Sequence, residues 1–311
     1  MIRPRNEQSL AANCVVSGRG YWSGREVVVR FGPAPAGSGI RFVRTDLPGR
    51  PACTATADHA CSASFRTNLV CGAAKFQMIE HAMAALTGLR IDNCCVEIDG
   101  EEFPGLDGSS QAFVEALQAV GVTIQPAVRK QLVIERTLRV GDESQWIEAR
   151  PVNGSESIFE YELDYGLSSP IVAQRHREFL DPRTFTRQLA GARTFVTAEQ
   201  VAELRSQGVG KHVGNRDLLV FDSDGLVDNS LRFENECARH KTLDLVGDLA
   251  LAGCDLIGHF VSHRGGHRLN AEMTRLLVDV AGRSATESSD AAEFRGIPSG
   301  DRRTARQVRV A

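Results

Sequence analysis

Gly247–Gly265, GDLALAGCDLIGHFVSHRG, repeats the pattern of Ala82–Gly100, AMAALTGLRIDNCCVEIDG. In each, a run with helical apolar spacing stops at a glycine, a strand-type run follows, and a second glycine closes the unit. Each then leads into a further amphipathic helix, QAFVEALQAVG at 111–121 and RLNAEMTRLLVDVAG at 268–282. Self-similarity at this scale marks a duplicated supersecondary unit. Strands mixed with helices bury their apolar faces as stacked layers. The expected class is therefore α+β: two related α/β-sandwich modules with a cleft between them, where a site could draw residues from both.

Length agrees, since 311 residues exceed one typical core. The segment 122–130 contains Pro126 and mixed polarity, and places the boundary. The expected modules are 1–125 and 126–281. Residues 282–311, rich in Ser, Gly and charge, read as a flexible tail. Residues 47–66, rich in Pro, Ala and Cys and without a period, read as loop with a possible strand. Thr197 with Gln200 three residues on forms a capping box opening a helix. Ser109 and Ser110 can cap the helix after them.

At 42% hydrophobic and 24% charged, the composition is that of a globular protein. A net charge of −3 gives no reason to expect nucleic acid. No apolar run approaches a membrane span, so no stable membrane insertion is expected. MIRPRNEQSL lacks an apolar signal core. Eight scattered cysteines without a C-x-x-C pair argue against a cysteine zinc cluster. They suit a cytoplasmic chain with reduced thiols. Oligomeric state leaves no signal.

The chemistry concentrates in Phe233–Leu251, FENECARHKTLDLVGDLAL. Leu243, Val246 and Leu249 form an apolar helical stripe. His240, Asp244 and Asp248 share another face at i, i+4 and i+8. Residues four apart on a helix are neighbours, so His240 and Asp244 can hold one metal ion. Asp248 lies two turns, roughly 12 Å, beyond His240, too far for the same ion. Taken alone, H-x-x-x-D also fits a helix whose charges face solvent. The best third ligand is His81, which lies off the Ile79, Met83 and Leu86 stripe of its helix. Two histidines and a carboxylate leave a position open for water, the catalytic form of a zinc site. Glu80 beside His81 would then be a natural general base. His267, on a Gly-rich turn before a helix, reads by itself as a surface residue or cap.

Six segments in order carry a wider likeness: GPAPAGSGIRFVRTDL, IEHAMAALTGLRIDN, FPGLDGSSQAFV, ARTF, DGLVDNSLRFENECARHKTLDLVGDL and IGHFVSHRGGHRLN. From about residue 12 to 280 the chain resembles the zinc-dependent UDP-3-O-acyl-N-acetylglucosamine deacetylases of lipid A biosynthesis. The resemblance implies Zn2+ on His81, His240 and Asp244. It implies Glu80 as general base, His267 as general acid and Asp248 as its partner. It implies Thr194 at the oxyanion, and Phe195, Lys241 and Tyr165 at the substrate, a UDP-linked acylated amino sugar. The implied reaction is hydrolysis of the 2-acetamide to acetate and a free amine. A deacetylase of another nucleotide-linked N-acetyl amino sugar, or a non-catalytic nucleotide-sugar binder, are the alternatives. The complete acid–base set argues against the binder.

Two segments depart from the family pattern. Trp22, in GRGYWSG, replaces a histidine. GKHVGNRD at 210–217 replaces a Gly-Gly-Ser run followed by Asp. Both bear on the substrate more than on the chemistry.

Overall fold

The computed structural model describes residues 4–294. The first module opens with β1 (Asn6–Leu10), β2 (Cys14–Arg19), β3 (Glu26–Pro33), β4 (Ile40–Arg44) and β5 (Ala52–Thr54). It continues through β6 (Ala60–Ala63), β7 (Arg66–Cys71), β8 (Ala74–Gln77), α1 (Glu80–Gly88), β9 (Cys94–Ile98), α2 (Gln111–Val120) and β10 (Val122–Val128). The second begins with β11 (Gln131–Val133), β12 (Leu138–Gly141), β13 (Trp146–Arg150), β14 (Ser157–Leu163) and β15 (Gln174–Phe179). Next come α3 (Pro182–Thr184) with a π turn over Phe185–Leu189, β16 (Phe195–Thr197), α4 (Ala198–Ser206), β17 (Leu219–Asp222) and β18 (Gly225–Leu226). It closes with α5 (Glu236–Leu249), β19 (Asp255–His263) and α6 (His267–Phe294).

The duplication is visible in the topology. The first sheet has the order β2-β3-β9-β4-β5 and the second β12-β13-β19-β14-β15. In both, the strand after the buried helix is central. β9 runs parallel to β4 and antiparallel to β3, as β19 does to β14 and β13. Strands with alternating apolar residues feed one side to the helices, as in β3, where Val27, Val29 and Phe31 are buried. The α+β class and the repeated layout are thus both present.

The helices α1 and α5 pack on each other, and a continuous core runs across both modules. Their approach is close because position 247 is glycine. A Cβ there would fall 2.1 Å from the Glu80 carbonyl oxygen. Glycine inside a helix costs about 1 kcal/mol relative to alanine, so close packing explains its use here. Gly247→Ala is expected to lose about 1–3 kcal/mol of stability by overpacking, despite the better helix propensity. An unchanged or raised urea midpoint would contradict this packing argument.

A polar clamp joins the modules on another face. The Arg5 guanidinium spans Asp92, ahead of β9, and Asp255, at the start of β19, at 2.7 and 2.6 Å. Asp92 and Asp255 are near-equivalent positions of the two repeats.

Two expectations are filled in by the fold and a third needs correction. Residues 47–66 contain β5 and β6, and β6 joins β7 and β8 in a three-stranded antiparallel sheet. The segment around Pro126 is β10, whose pairing with β1 ties the chain's start to the end of the first module. The expected tail begins as helix: α6 runs on to Phe294, and 295–311 lies outside the described residues. In addition, the Ser110 hydroxyl makes no cap bond. It donates to the His81 carbonyl at 2.8 Å. The Thr197–Gln200 capping box is formed on α4.

Candidate metal centre and active site

α5 is not a surface helix. Its apolar stripe is buried, and so are His240, Asp244 and Asp248 on the other face, each 2% exposed. Charges facing solvent are therefore excluded as the reading of H-x-x-x-D. The first turn of α1 brings Glu80 and His81 to this face, both buried.

His81, His240 and Asp244 offer ligand atoms that all lie within 4.8 Å of one another. Asp244 Oδ1 sits 3.6 Å from His81 Nε2 and 3.4 Å from His240 Nε2. That oxygen is buried and makes no hydrogen bond. An orphaned carboxylate oxygen facing two imidazole nitrogens is a costly arrangement without a cation. It fits a divalent metal. The other oxygen, Oδ2, accepts from the Lys241 ammonium at 2.7 Å, which suits single-oxygen ligation. His240 Nδ1 lies 3.1 Å from the Ala192 carbonyl. This contact fixes the ring with Nε2 toward the site, as outer partners of metal-binding histidines do. Burial pushes His240 down to about 4, so its imidazole is neutral, the ligating form. Burial alone would raise Asp244, but the Lys241 ammonium on Oδ2 and the His81 imidazole hold it well below the usual range.

A second cluster adjoins the first. His267, the first residue of α6, directs Nδ1 at Asp248 Oδ2 over 2.8 Å. Its Nε2 lies 3.9 Å from Asp244 Oδ2. Burial works against the imidazolium, but Asp248 outweighs it and raises His267 to about 9. Asp248 also accepts from Asn270 Nδ2 at 2.7 Å and Thr67 Oγ1 at 2.7 Å. The Thr67 amide donates to Glu80 Oε2 at 3.0 Å. Burial pushes Glu80 above the ordinary carboxylate range, against the pull of His267 and His81.

The donor set opens into a cleft of about 610 Å3. Thr194, Phe195, Lys241 and Tyr165 line it with Trp22. Phe195 lies edge-on to His240, with centroids 6.2 Å apart, and Tyr165 lies 6.3 Å from Phe195. Every site residue expected from the sequence is thus gathered here. Sequence reasoning missed Thr67 and Asn270, which carry no spacing signal. It also missed the Arg193–Glu236 ion pair at 2.7 Å, fully buried at Glu236, which pins the residue before Thr194 to the start of α5.

Residues 7–279 match the family model described as UDP-3-O-acyl N-acetylglycosamine deacetylase. The chain belongs to this family. It is 38% identical over 275 residues to proteins named UDP-3-O-acyl-N-acetylglucosamine deacetylase from Brucella ovis, Brucella canis and Brucella melitensis. The match covers 88% of this chain and 95% of each relative.

The segments 18–24 and 210–217 meet in space. His212 Nε2 lies 2.8 Å from the Gly20 carbonyl, and the Tyr21 hydroxyl donates to the Asp217 carbonyl. The Arg66 guanidinium stacks on Trp22 at 4.0 Å. Glu102 accepts from the backbone amides of Trp22 and Ser23, both at 2.8 Å. The segments 18–24 and 210–217 therefore touch, and Tyr21, Trp22 and Val213 from them line the cleft.

Proposed function

We propose that the chain hydrolyses the 2-acetamide of UDP-3-O-acyl-N-acetylglucosamine, giving acetate and the free amine, in lipid A biosynthesis. The observation that carries the substrate is the shape of the cleft. Beside the polar donor set, Val201 and Leu204 of α4 face Val196, Val213, Leu218 and Val220 in an apolar pocket. A plain nucleotide sugar has nothing to place there, whereas a 3-O-acyl chain does. The described residues include no helix long and apolar enough to cross a membrane. We place the reaction in the cytoplasm.

His81, His240 and Asp244 would hold the ion, which we take to be zinc. When bound, it supplies Lewis-acid polarisation and a more acidic water. The roles of the protein groups follow from their positions. Glu80 has Oε2 tied to the Thr67 amide and takes a proton from the attacking water with its carboxylate. The Thr194 hydroxyl donates to the developing oxyanion. His267, held as imidazolium by Asp248, gives its proton to the leaving amine. Phe195 and Tyr165 offer aromatic faces to the sugar and base.

The test is substrate discrimination. Acetate should be released from the 3-O-acylated UDP sugar and not from UDP-N-acetylglucosamine. Equal rates on both would favour a different nucleotide-sugar deacetylase, and no release a binding protein. Dialysis against a chelator should abolish turnover, and zinc should restore it. Full activity in protein shown by elemental analysis to be metal-free would overturn the metal reading.

A further inference from the structure

The eight cysteines include two brought together by the fold from distant positions. Cys53 is the inward residue of β5, and Cys71 ends β7 at the hairpin into β8. His59 closes the single helical turn Ala57–His59 between them. One ligand atom from each of the three residues lies within 4.8 Å of the other two. The sequence separation, C-x5-H-x11-C, follows no familiar metal spacing, so the grouping is invisible without the fold.

We propose that Cys53, His59 and Cys71 form a second metal site, for zinc or a similarly soft ion, separate from the His81–His240–Asp244 centre. Two sulfurs and an imidazole select soft or borderline ions, and three protein donors leave one tetrahedral position open. The histidine keeps one ring nitrogen for ligation. Its Nδ1 is engaged by the Thr54 carbonyl at 2.9 Å and by Thr56 Oγ1 at 3.1 Å. A carbonyl only accepts, so Nδ1 carries the proton and Nε2 keeps its lone pair. A backbone carbonyl behind the ring is the usual outer partner of a metal-binding histidine. The Cys53 thiol points at the same Thr54 carbonyl, 3.6 Å away.

Burial, with Cys71 alongside, pushes the Cys53 thiol up to about 12. The metal-free Cys53 is thus held as a thiol, and metal binding there releases a proton. The site would staple β5 to the helical turn and β7, adding to the β6–β7 pairing that already holds the turn to the sheet. β7 is the strand that carries Thr67, the residue supporting both Asp248 and Glu80. Occupancy therefore stabilises the sheet that seats the acid and base, without a ligand touching the substrate.

The experiment is a Co2+ titration of the full chain under reducing conditions. Of the two candidate centres among the described residues only this one contains sulfur, so a thiolate-to-cobalt charge-transfer band in the near ultraviolet distinguishes it from the other. The band should appear in wild type and persist in Asp244→Ala, which cripples the other centre. It should vanish in Cys53→Ser/Cys71→Ser. In His59→Gln, Co2+ affinity should fall by at least about tenfold, the lower end for losing even an outer partner of a ligand. Zinc should also protect Cys53 and Cys71 of wild type from alkylation, read by peptide mass spectrometry, so the test survives a misfolded serine variant. Absence of the band at saturating Co2+, equal alkylation with and without zinc, or a Cys53–Cys71 disulfide in the reduced preparation would each overturn the proposal.

Discussion

Glu80→Gln will lower kcat by about 10²–10⁴-fold, the range assigned to a positioned general base, while the metal on His81, His240 and Asp244 stays bound. Glutamine is the informative replacement. The Thr67 amide donates to Glu80 Oε2 at 3.0 Å, and a carboxamide oxygen can accept the same bond. The start of α1 packs backbone-to-backbone on Gly247, a contact the side chain does not enter. The fold and the ligands should therefore survive, and only the ability to take a proton is lost. The pH profile provides a second reading. Burial holds the Glu80 carboxyl above the ordinary range. A base works deprotonated, so the acid limb of kcat/KM should lie above the pH where an exposed glutamate titrates. That limb should disappear in the variant. A rate within a few-fold of wild type, with metal bound, would remove Glu80 from the mechanism.

The difference between Glu80 and Thr67 shows which parts of this site a sequence can reveal. His240 and Asp244 were legible because helical spacing of four forces them together. The same geometry excluded Asp248 from His240's ion, and the structure gives it to His267 instead. His81 comes from the other module, and no local rule reaches across that distance. It was favoured as a ligand by its position off an apolar stripe and by family likeness. Thr67 has no such handle. It is one threonine in a short strand, and its role exists only because the fold brings it to Glu80, Asp248 and His267 at the ends of α1, α5 and α6. Residues 47–66 were read as loop with only a possible strand for a related reason. Short strands such as β5 and β6, of three and four residues, are too brief to show an alternation. The duplicated modules were legible because helix, glycine and strand recur in order, and the matched sheet orders follow from that recurrence.

Asp248→Asn separates the acid from the base. Asp248 accepts from His267 Nδ1 and Asn270 Nδ2 on one oxygen and from Thr67 Oγ1 on the other. Asparagine can keep its oxygen toward His267 and Asn270 and turn its amide to the Thr67 hydroxyl, which is able to accept. The hydrogen-bond frame then persists and the charge is lost. That charge is what holds His267 as an imidazolium up to about 9 against its burial. Without it, burial is less opposed and the histidine releases its proton at lower pH. An acid catalyst works protonated, so the alkaline limb of kcat/KM should move toward lower pH. Peak activity should drop by about 10–100-fold, as when the partner of a functional histidine is removed. The acid limb, which belongs to Glu80, should barely move. The two variants therefore act on opposite sides of the profile, although Thr67 links their targets through its amide and its hydroxyl. An alkaline limb that stays in place in Asp248→Asn would mean that the imidazolium is not the proton donor, and the leaving amine would need another acid.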